Sequence, residues 1–302
     1  MLLVFDVKRA SSGFVNNFAS RFPNTVYNAK EESGGEKFYN YTFPTWNGKI
    51  NEGDEAVFQG LIRNTREVYE ACKEQERNFY YLDQPYFFFS NYTQHAPTGD
   101  RWYRIIKNDT QKTFIDKSPR HQRRYERLLT RLKDHPQALN EITTKPWRDD
   151  GKEILVIPPS YHTAKWYGID RADWERYYVN EIKKYTKRPI NVRHKFKGNA
   201  QDVTVAAKNK KDLYEDLNNA FAIVSFHSMC ASQAVVHGIP SFCSEHSPAW
   251  PVSLGLNELD QIEDPLYSGE RQQWLYSLLG SQFTEGEMKS GNAYRYVNGE
   301  NV

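Results

Sequence analysis

Ala222-Ile-Val-Ser-Phe-His-Ser-Met-Cys-Ala-Ser-Gln-Ala-Val-Val-His-Gly-Ile-Pro240 is the stretch on which the fold turns. With Phe221 ahead of it, the run to Ser225 is apolar and of strand length, and a small polar elbow, Ser225 to Ser228, follows. Small residues dominate from Ser228 to His237, so a helix there can lie close against a sheet. Gly238 suits a left-handed helix stop, and Pro240 prevents continuation. A buried strand feeding a helix through a short elbow is one arm of a βαβ unit. The positive end of such a helix points into the crevice at the strand's C-terminal edge, where it favours an anion. The stretch matches neither a phosphate-binding P-loop nor G-x-G-x-x-G.

Working outward, the same grammar repeats. Glu153-Ile-Leu-Val-Ile157 is an apolar, β-branched run stopped by Pro158-Pro159-Ser160, a buried strand meeting a loop. Trp174–Tyr185 reads as helix, Ile190–Arg193 as a short strand, Asp212–Ala220 as helix and Pro240–Cys243 as strand. This alternation predicts a parallel sheet with helices on both faces. Lys145–Gly151 reads as a linker, which divides the chain into an N-terminal domain, 1–147, and a C-terminal domain, 148–302, ending in a helical tail.

In the first half, Leu2–Phe5 reads as a strand, and Ser33–Gly35 is rich in glycine. Val57, Leu61, Val68 and Cys72 recur at helical spacing after Asp54 and predict one long helix. Phe79-Tyr-Tyr-Leu82 is a strand that leaves through Asp83-Gln-Pro-Tyr86. Residues 118–133 predict an amphipathic helix with Ser118 as N-cap and Pro119 at its first position. Tyr125, Leu128, Leu129 and Leu132 form its apolar stripe; Arg120, Arg124, Arg127 and Arg131 form a separate basic one.

The 302 residues are enough for two domains, and 39% hydrophobic against 26% charged residues supplies a core. No window reaches the ~18 apolar residues of a membrane span. Met1-Leu-Leu-Val-Phe-Asp6 has no basic lead and reads as a strand, not a signal peptide. The three cysteines, Cys72, Cys230 and Cys243, match no zinc pattern or disulfide framework, so a cytoplasmic setting is expected. The aromatic content of 15% suits a core, base stacking or sugar stacking. Charge is unevenly spread: residues 101–135 hold eleven Lys/Arg against four Asp/Glu, and residues 183–211 hold ten against one. From residue 241 onward three basic residues stand against nine acidic ones. A basic middle suits a polyanionic ligand or, equally, solvated helix faces.

The strand–elbow–helix at Ser225–Pro240 resembles the donor-binding segment of glycosyltransferases with the GT-B fold, in which a Ser/Thr-rich elbow precedes a helix ending in Gly-x-Pro, as in Gly238-Ile-Pro240. The resemblance covers about residues 150–245. It implies an α/β fold of two Rossmann-like domains facing a cleft, and a nucleotide sugar as co-substrate with no other cofactor. It further implies that Ser225, His227 and Ser228 hold the donor phosphates, with Ser160 and the basic pair Arg193 and Lys195 beside them. Many members carry a Glu in this helix; here Gln233 is the nearest counterpart, which leaves the donor open.

Glycosyl transfer with inversion needs a base for the acceptor hydroxyl. Asp83, at a strand exit of the N-terminal domain, is the candidate; the competing reading is a turn-forming Asp ahead of Pro85. His95 and His227 are rivals, His227 fitting a donor contact better. Arg101-Trp-Tyr-Arg-Ile-Ile-Lys-Asn108 alternates basic and aromatic residues, as a nucleic-acid surface or a half-solvated strand would. No metal-ligand cluster and no D-x-D is present, so a metal-independent enzyme is expected. Arg104, Lys107 and the arginine stripe would face the acceptor. Charge and analogy with viral DNA-modifying glycosyltransferases point to a hydroxymethylated pyrimidine in double-stranded DNA, which would place the protein in host cytoplasm. A non-catalytic nucleic-acid-binding protein, and a nucleotide-dependent α/β transferase that moves no sugar, remain the alternatives.

Overall fold

The computed structural model describes residues 1–6, 13–28, 46–60, 65–88, 100–194 and 213–302. Two compact units share the chain: Met1–Thr110 with Leu279–Val302, and Gln111–Leu278. The division differs from the expected break at 147/148 for two reasons. Lys145–Arg148, read as a linker, is tied into the second unit, with the Lys145 amide donating to the Val236 carbonyl and the Arg148 amide to that of Gly238. The C-terminal segment, in turn, returns to the first unit.

The first unit starts with β1 (Leu2–Asp6), α1 (Gly13–Ala19), β2 (Asn24–Asn28), β3 (Glu55–Gln59), α2 (Arg66–Glu74), β4 (Phe79–Asp83) and β5 (Trp102–Lys107). β2, β1, β3 and β4 lie side by side in parallel, and β5 runs antiparallel to β4. Both faces of the sheet are buried. Leu2, Val4, Val57, Tyr80 and Leu82 pack on one side, and Leu3, Phe5, Phe58, Phe79 and Tyr81 on the other. The single helix expected between Asp54 and Cys72 is instead strand β3 and helix α2. Glu55–Gln59 fits between β1 and β4, buried on both faces, and Gly60, at φ +60°, follows it. A strand buried on both sides carries apolar residues at every spacing, including a helical one.

The second unit holds α3 (Pro119–Arg131), α4 (Pro136–Ile142), β6 (Glu153–Ile157), α5 (Tyr161–Tyr167), α6 (Arg171–Ile182), β7 (Ile190–Val192), α7 (Leu213–Asn219), β8 (Ala220–Ser225), α8 (Met229–Val236), β9 (Ser241–Cys243), β10 (Leu254–Gly255) and α9 (Arg271–Leu279). Its sheet is parallel throughout, in the order β10-β9-β8-β6-β7. Ile154 and Val156 pack with Trp174 and Phe242 on one face, while Leu155 and Ile157 pack with Leu217 and Ala234 on the other. Strand order reverses between β6 and β8, the topological switch point at which such sheets bind ligands outside their carboxyl ends. Gly238 ends α8 at φ +80°, and a Cβ there would lie 2.0 Å from the Pro146 carbonyl oxygen, so only glycine fits.

The chain then re-enters the first unit as β11 (Gln282–Thr284), antiparallel to β5, followed by α10 (Glu285–Lys289) and α11 (Asn292–Val297). α10 is secured by a capping box between Thr284 and Glu287. Both units are therefore α/β, each built on a largely parallel sheet. Among the described residues no helix is long and apolar enough to cross a membrane.

Candidate functional site

The C-terminal ends of β6, β8 and β9 lie in register, Ile157 beside Ser225 and Ser225 beside Cys243. Two of these exits lead directly into helices. Ser160 is the N-cap of α5, its hydroxyl accepting from the Thr163 amide at 3.2 Å. Ser228 is the N-cap of α8, its hydroxyl accepting from the Cys230 amide at 3.2 Å. Two helix N-termini thus start from neighbouring strand ends at the switch point. Neither has an acidic residue in its first turn, leaving both positive ends uncompensated from within the helix.

The elbow itself is held from several sides. The Phe226 carbonyl accepts from both the Ser244 amide and the Ser244 hydroxyl, at 3.2 and 2.5 Å. His227 is half-buried, and its Nε2 lies 3.1 Å from Nε2 of Gln111. Tyr167, from α5, meets Phe226 edge-on at 5.1 Å between centroids and stacks on His246 at 4.8 Å. Gln111, Tyr167 and His246 are site residues that the sequence did not reveal.

The remaining expected donor contacts are placed differently. Ser225 is fully buried at the end of β8, and its hydroxyl has no hydrogen-bond partner among the described residues. It forms the floor of the elbow, not its surface. Arg193 leaves β7 as expected, but its guanidinium is paired with the buried Asp216 carboxylate. Gln233 is half-buried in the second turn of α8. Lys195 and His95 lie outside the described residues.

In the first unit Asp83 ends β4 directly opposite Arg104 of β5. Its Oδ2 accepts from Arg104 Nη2 at 2.7 Å and from the Tyr81 hydroxyl at 2.8 Å, and its Oδ1 from the Gln84 amide at 2.8 Å. The loop beyond is clamped by Gln282 of β11, whose Oε1 accepts from the amides of Tyr86 and Phe87 at 2.9 and 3.0 Å. Burial opposes the Arg104 charge, but Asp83 and the neighbouring tyrosines outweigh it and raise its pKa further. Three acceptor positions of the carboxylate are used; a carboxylate offers about four. The Asp83 side chain keeps 28% of its surface exposed.

The residues expected to face an acceptor differ in exposure, Arg104 and Lys107 belonging to the first unit and the arginines of α3 to the second. Arg104 is only 3% exposed and serves Asp83. Lys107 pairs with Glu55 at 3.2 Å and Asn298 at 2.7 Å. Trp102 and Tyr103 are buried, so neither offers a ring for stacking. On α3, Arg124 is 6% exposed and Arg120 sits 3.9 Å from the Asp116 carboxylate, while Arg127 and Arg131 are exposed. The helix enters the core more deeply than its apolar stripe alone would carry it. Among the described residues no three His, Cys, Asp or Glu side chains are grouped to hold a metal ion.

No family model matches the chain, and comparison with curated proteins finds no match. Among solved structures, it is similar to the β-Kdo 2,4-transferase KpsC of Thermosulfurimonas dismutans, with 11% identity, a TM-score of 0.48 and coverage of 97% of both chains. The β-Kdo 2,7-transferase KpsC of the same organism gives 12% identity and a TM-score of 0.45, covering 97% of this chain and 98% of that one. UDP-GlcNAc 2-epimerase of Methanocaldococcus jannaschii, solved with UDP-GlcNAc and UDP, gives 9% identity and a TM-score of 0.33, covering 91% and 98%. At such identities and scores the likeness assigns no activity to this chain.

Proposed function

We propose that the protein is a glycosyltransferase that moves a sugar from a nucleotide-sugar donor to an acceptor hydroxyl, without a metal requirement. The observation that carries this reading is the pair of serine-capped helices starting side by side at the switch point of the second unit's sheet. Two helix N-termini and their hydroxyls suit the oxygens of a leaving phosphate, whose charge grows as the bond to the anomeric carbon breaks. His227 adds a side chain on the elbow. Asp83 takes the proton of the acceptor hydroxyl as its oxygen attacks the anomeric carbon, and Arg104 and Tyr81 hold the carboxylate in place. Of the described residues expected to grip DNA, Arg104 and Arg124 are buried and Lys107 is paired, which favours a glycan or small hydroxylated acceptor.

A panel of nucleoside diphosphates and nucleotide sugars tests the reading. One of them should raise the melting temperature, a bound ligand contributing about 2.7 kcal/mol at a hundredfold excess over Kd. The matching nucleotide sugar should be hydrolysed slowly without acceptor, equally well in EDTA. No stabilisation across the panel, together with tight binding to DNA, would favour the nucleic-acid-binding alternative.

A further inference from the structure

We infer that His246 is the stacking platform for the base of the nucleotide donor, its outer ring face taking a flat heteroaromatic ring. The inference rests on the donor reading proposed above and assigns one part of that donor to the exit of β9. Tyr167, at the end of α5, meets Phe226 edge-on, with 5.1 Å between centroids and 73° between planes. The same tyrosine ring lies nearly parallel to His246, at 4.8 Å and 24°. Phe226 is farther from the imidazole, at 6.2 Å and 62°, and packs against the core of the second unit. The ring cluster is thus founded on the core and ends at His246, one face of which Tyr167 covers. The His246 side chain nevertheless keeps 44% of its surface. The charged group beside it is the Glu245 carboxylate, 3.8 Å from Nε2 and itself exposed. Stacking uses the ring face, so it does not depend on which way the imidazole is turned about its axis.

The ring is carried on an anchored turn next to the elbow. Ser244 donates from both its amide and its hydroxyl to the Phe226 carbonyl, which ties the exit of β9 to the exit of β8. The Ser247 amide donates to the Ser244 carbonyl at 2.9 Å, and Ser247 is fully buried. His246 therefore stands between two fixed residues, and a ligand stacking on it has little backbone freedom to freeze out. Phe226 and His227 immediately precede Ser228, and Tyr167 also lies 6.0 Å from His227. A phosphate held at Ser228 and a ring held at His246 are accordingly neighbours. A planar base continues the nearly parallel geometry of Tyr167 on His246, whereas a puckered sugar ring cannot lie flat on an imidazole. Every base has a π-face, so such a platform favours a nucleotide over free phosphate without choosing among bases.

The test is calorimetric titration of the wild type, His246→Ala and His246→Phe with UDP, CDP, ADP and GDP, and with inorganic pyrophosphate as the base-free control. His246→Ala should weaken the best-bound nucleoside diphosphate by about five- to a hundredfold, the range of one base–aromatic stack, and leave pyrophosphate unchanged. His246→Phe, which keeps a flat ring without its nitrogens, should retain most of the affinity. Both free variants should melt with the wild type, since the replaced side chain is exposed. In the wild-type complex, nuclear Overhauser effects should join the base protons to the carbon-bound ring protons of His246. Unaltered nucleotide affinity in His246→Ala, or equal losses of nucleotide and pyrophosphate affinity, would overturn the inference. So would a His246→Phe variant as weak as His246→Ala. Equal affinity of the wild type for pyrophosphate and for every nucleoside diphosphate would also remove the platform, yet leave the phosphate site standing. Binding of none of these probes by the wild type would sink the donor reading, and the platform with it.

Discussion

Asp83 and Arg104 face each other across β4 and β5, their side chains joined at 2.7 Å, with the arginine almost wholly buried beneath the partly exposed carboxylate. The arrangement gives Asp83 two duties, as counter-charge to a buried cation and as an acceptor turned to solvent, and substitutions can separate them.

Asp83→Asn should lower turnover by about 10²–10⁴-fold, the usual share of a general base. It should also destabilise the fold, because a buried guanidinium loses its counter-charge; the penalty for fully buried pairs is about 3–5 kcal/mol, and less is expected here because Asp83 is partly solvated. Arg104→Gln added to Asp83→Asn should restore much of the melting temperature but none of the activity. Recovery of both together would mean that Asp83 matters only for folding.

Ser228 can be changed in two directions. Ser228→Ala removes the cap seen to the Cys230 amide and should cost about 1 kcal/mol. Ser228→Asp keeps a good capping group, so the fold should persist, yet it sets a negative charge at the positive end of α8. Stabilisation by nucleoside diphosphate should then disappear in the Asp variant and survive, weakened, in the Ala variant. Equal responses of the two would take the elbow out of the donor site.

The second unit's sheet was legible because Glu153–Ile157 and Phe221–Ser225 are short apolar runs closed by proline or by a polar elbow, and both faces of each strand are in fact buried. β3 was not legible, since Val57 falls into a helical spacing with Val68 and Cys72 as readily as into a strand until β1 and β4 flank Glu55–Gln59. Three-residue β11 carries too little pattern to be read at all, and its Gln282, clamping the loop after Asp83, is visible only once the chain has returned. Ser160 and Ser228 could be read as residues at strand exits, but that each caps a helix shows only in the structure. The contact of Gln111 with His227 spans 116 positions and leaves no local trace. Likewise Arg104 looked solvated because a basic residue in a strand usually is, and its partner lies on another strand.

His237, at the end of α8, predicts how the protein responds to acid. Burial, with Lys145 and Arg148 nearby, lowers its pKa from the ordinary 6.5 to about 4. The folded state therefore keeps it neutral where the unfolded chain takes up a proton. Its contribution is complete above pH 6.5 and is lost as pH falls towards 4, amounting to about 3 kcal/mol at one pK unit per 1.4 kcal/mol. Asp116 acts lower. Burial would raise its pKa, but hydrogen bonds from His121 and Ser118, with the His121 and Lys112 charges, bring it from 3.8 to about 2. Its share is lost only below about pH 4. Chemical denaturation of wild type and His237→Gln at pH 7.0, 5.5 and 4.5 checks this: the variant should be less sensitive to acid between 6.5 and 4. Parallel curves would mean that His237 is protonated in the folded state.

The arginines of α3 offer the last test, because the structure splits a stripe that the sequence joins. Arg124 is buried, so Arg124→Gln should destabilise by about 1–3 kcal/mol through lost packing of the stem and lost partners of the charge. Arg127→Gln and Arg131→Gln, on exposed positions, should each stay within about 0.5 kcal/mol. If α3 gripped a DNA backbone through these two, removing both would reduce the slope of log K against log salt by about 0.9 per contact. Two exposed cations beside a buried third make a solvated face, so the expected result is an unchanged slope and unchanged transfer to a glycan acceptor. A slope lowered by nearly two, with turnover on DNA falling in step, would restore a polyanionic acceptor and show that Arg127 and Arg131 suffice to hold it.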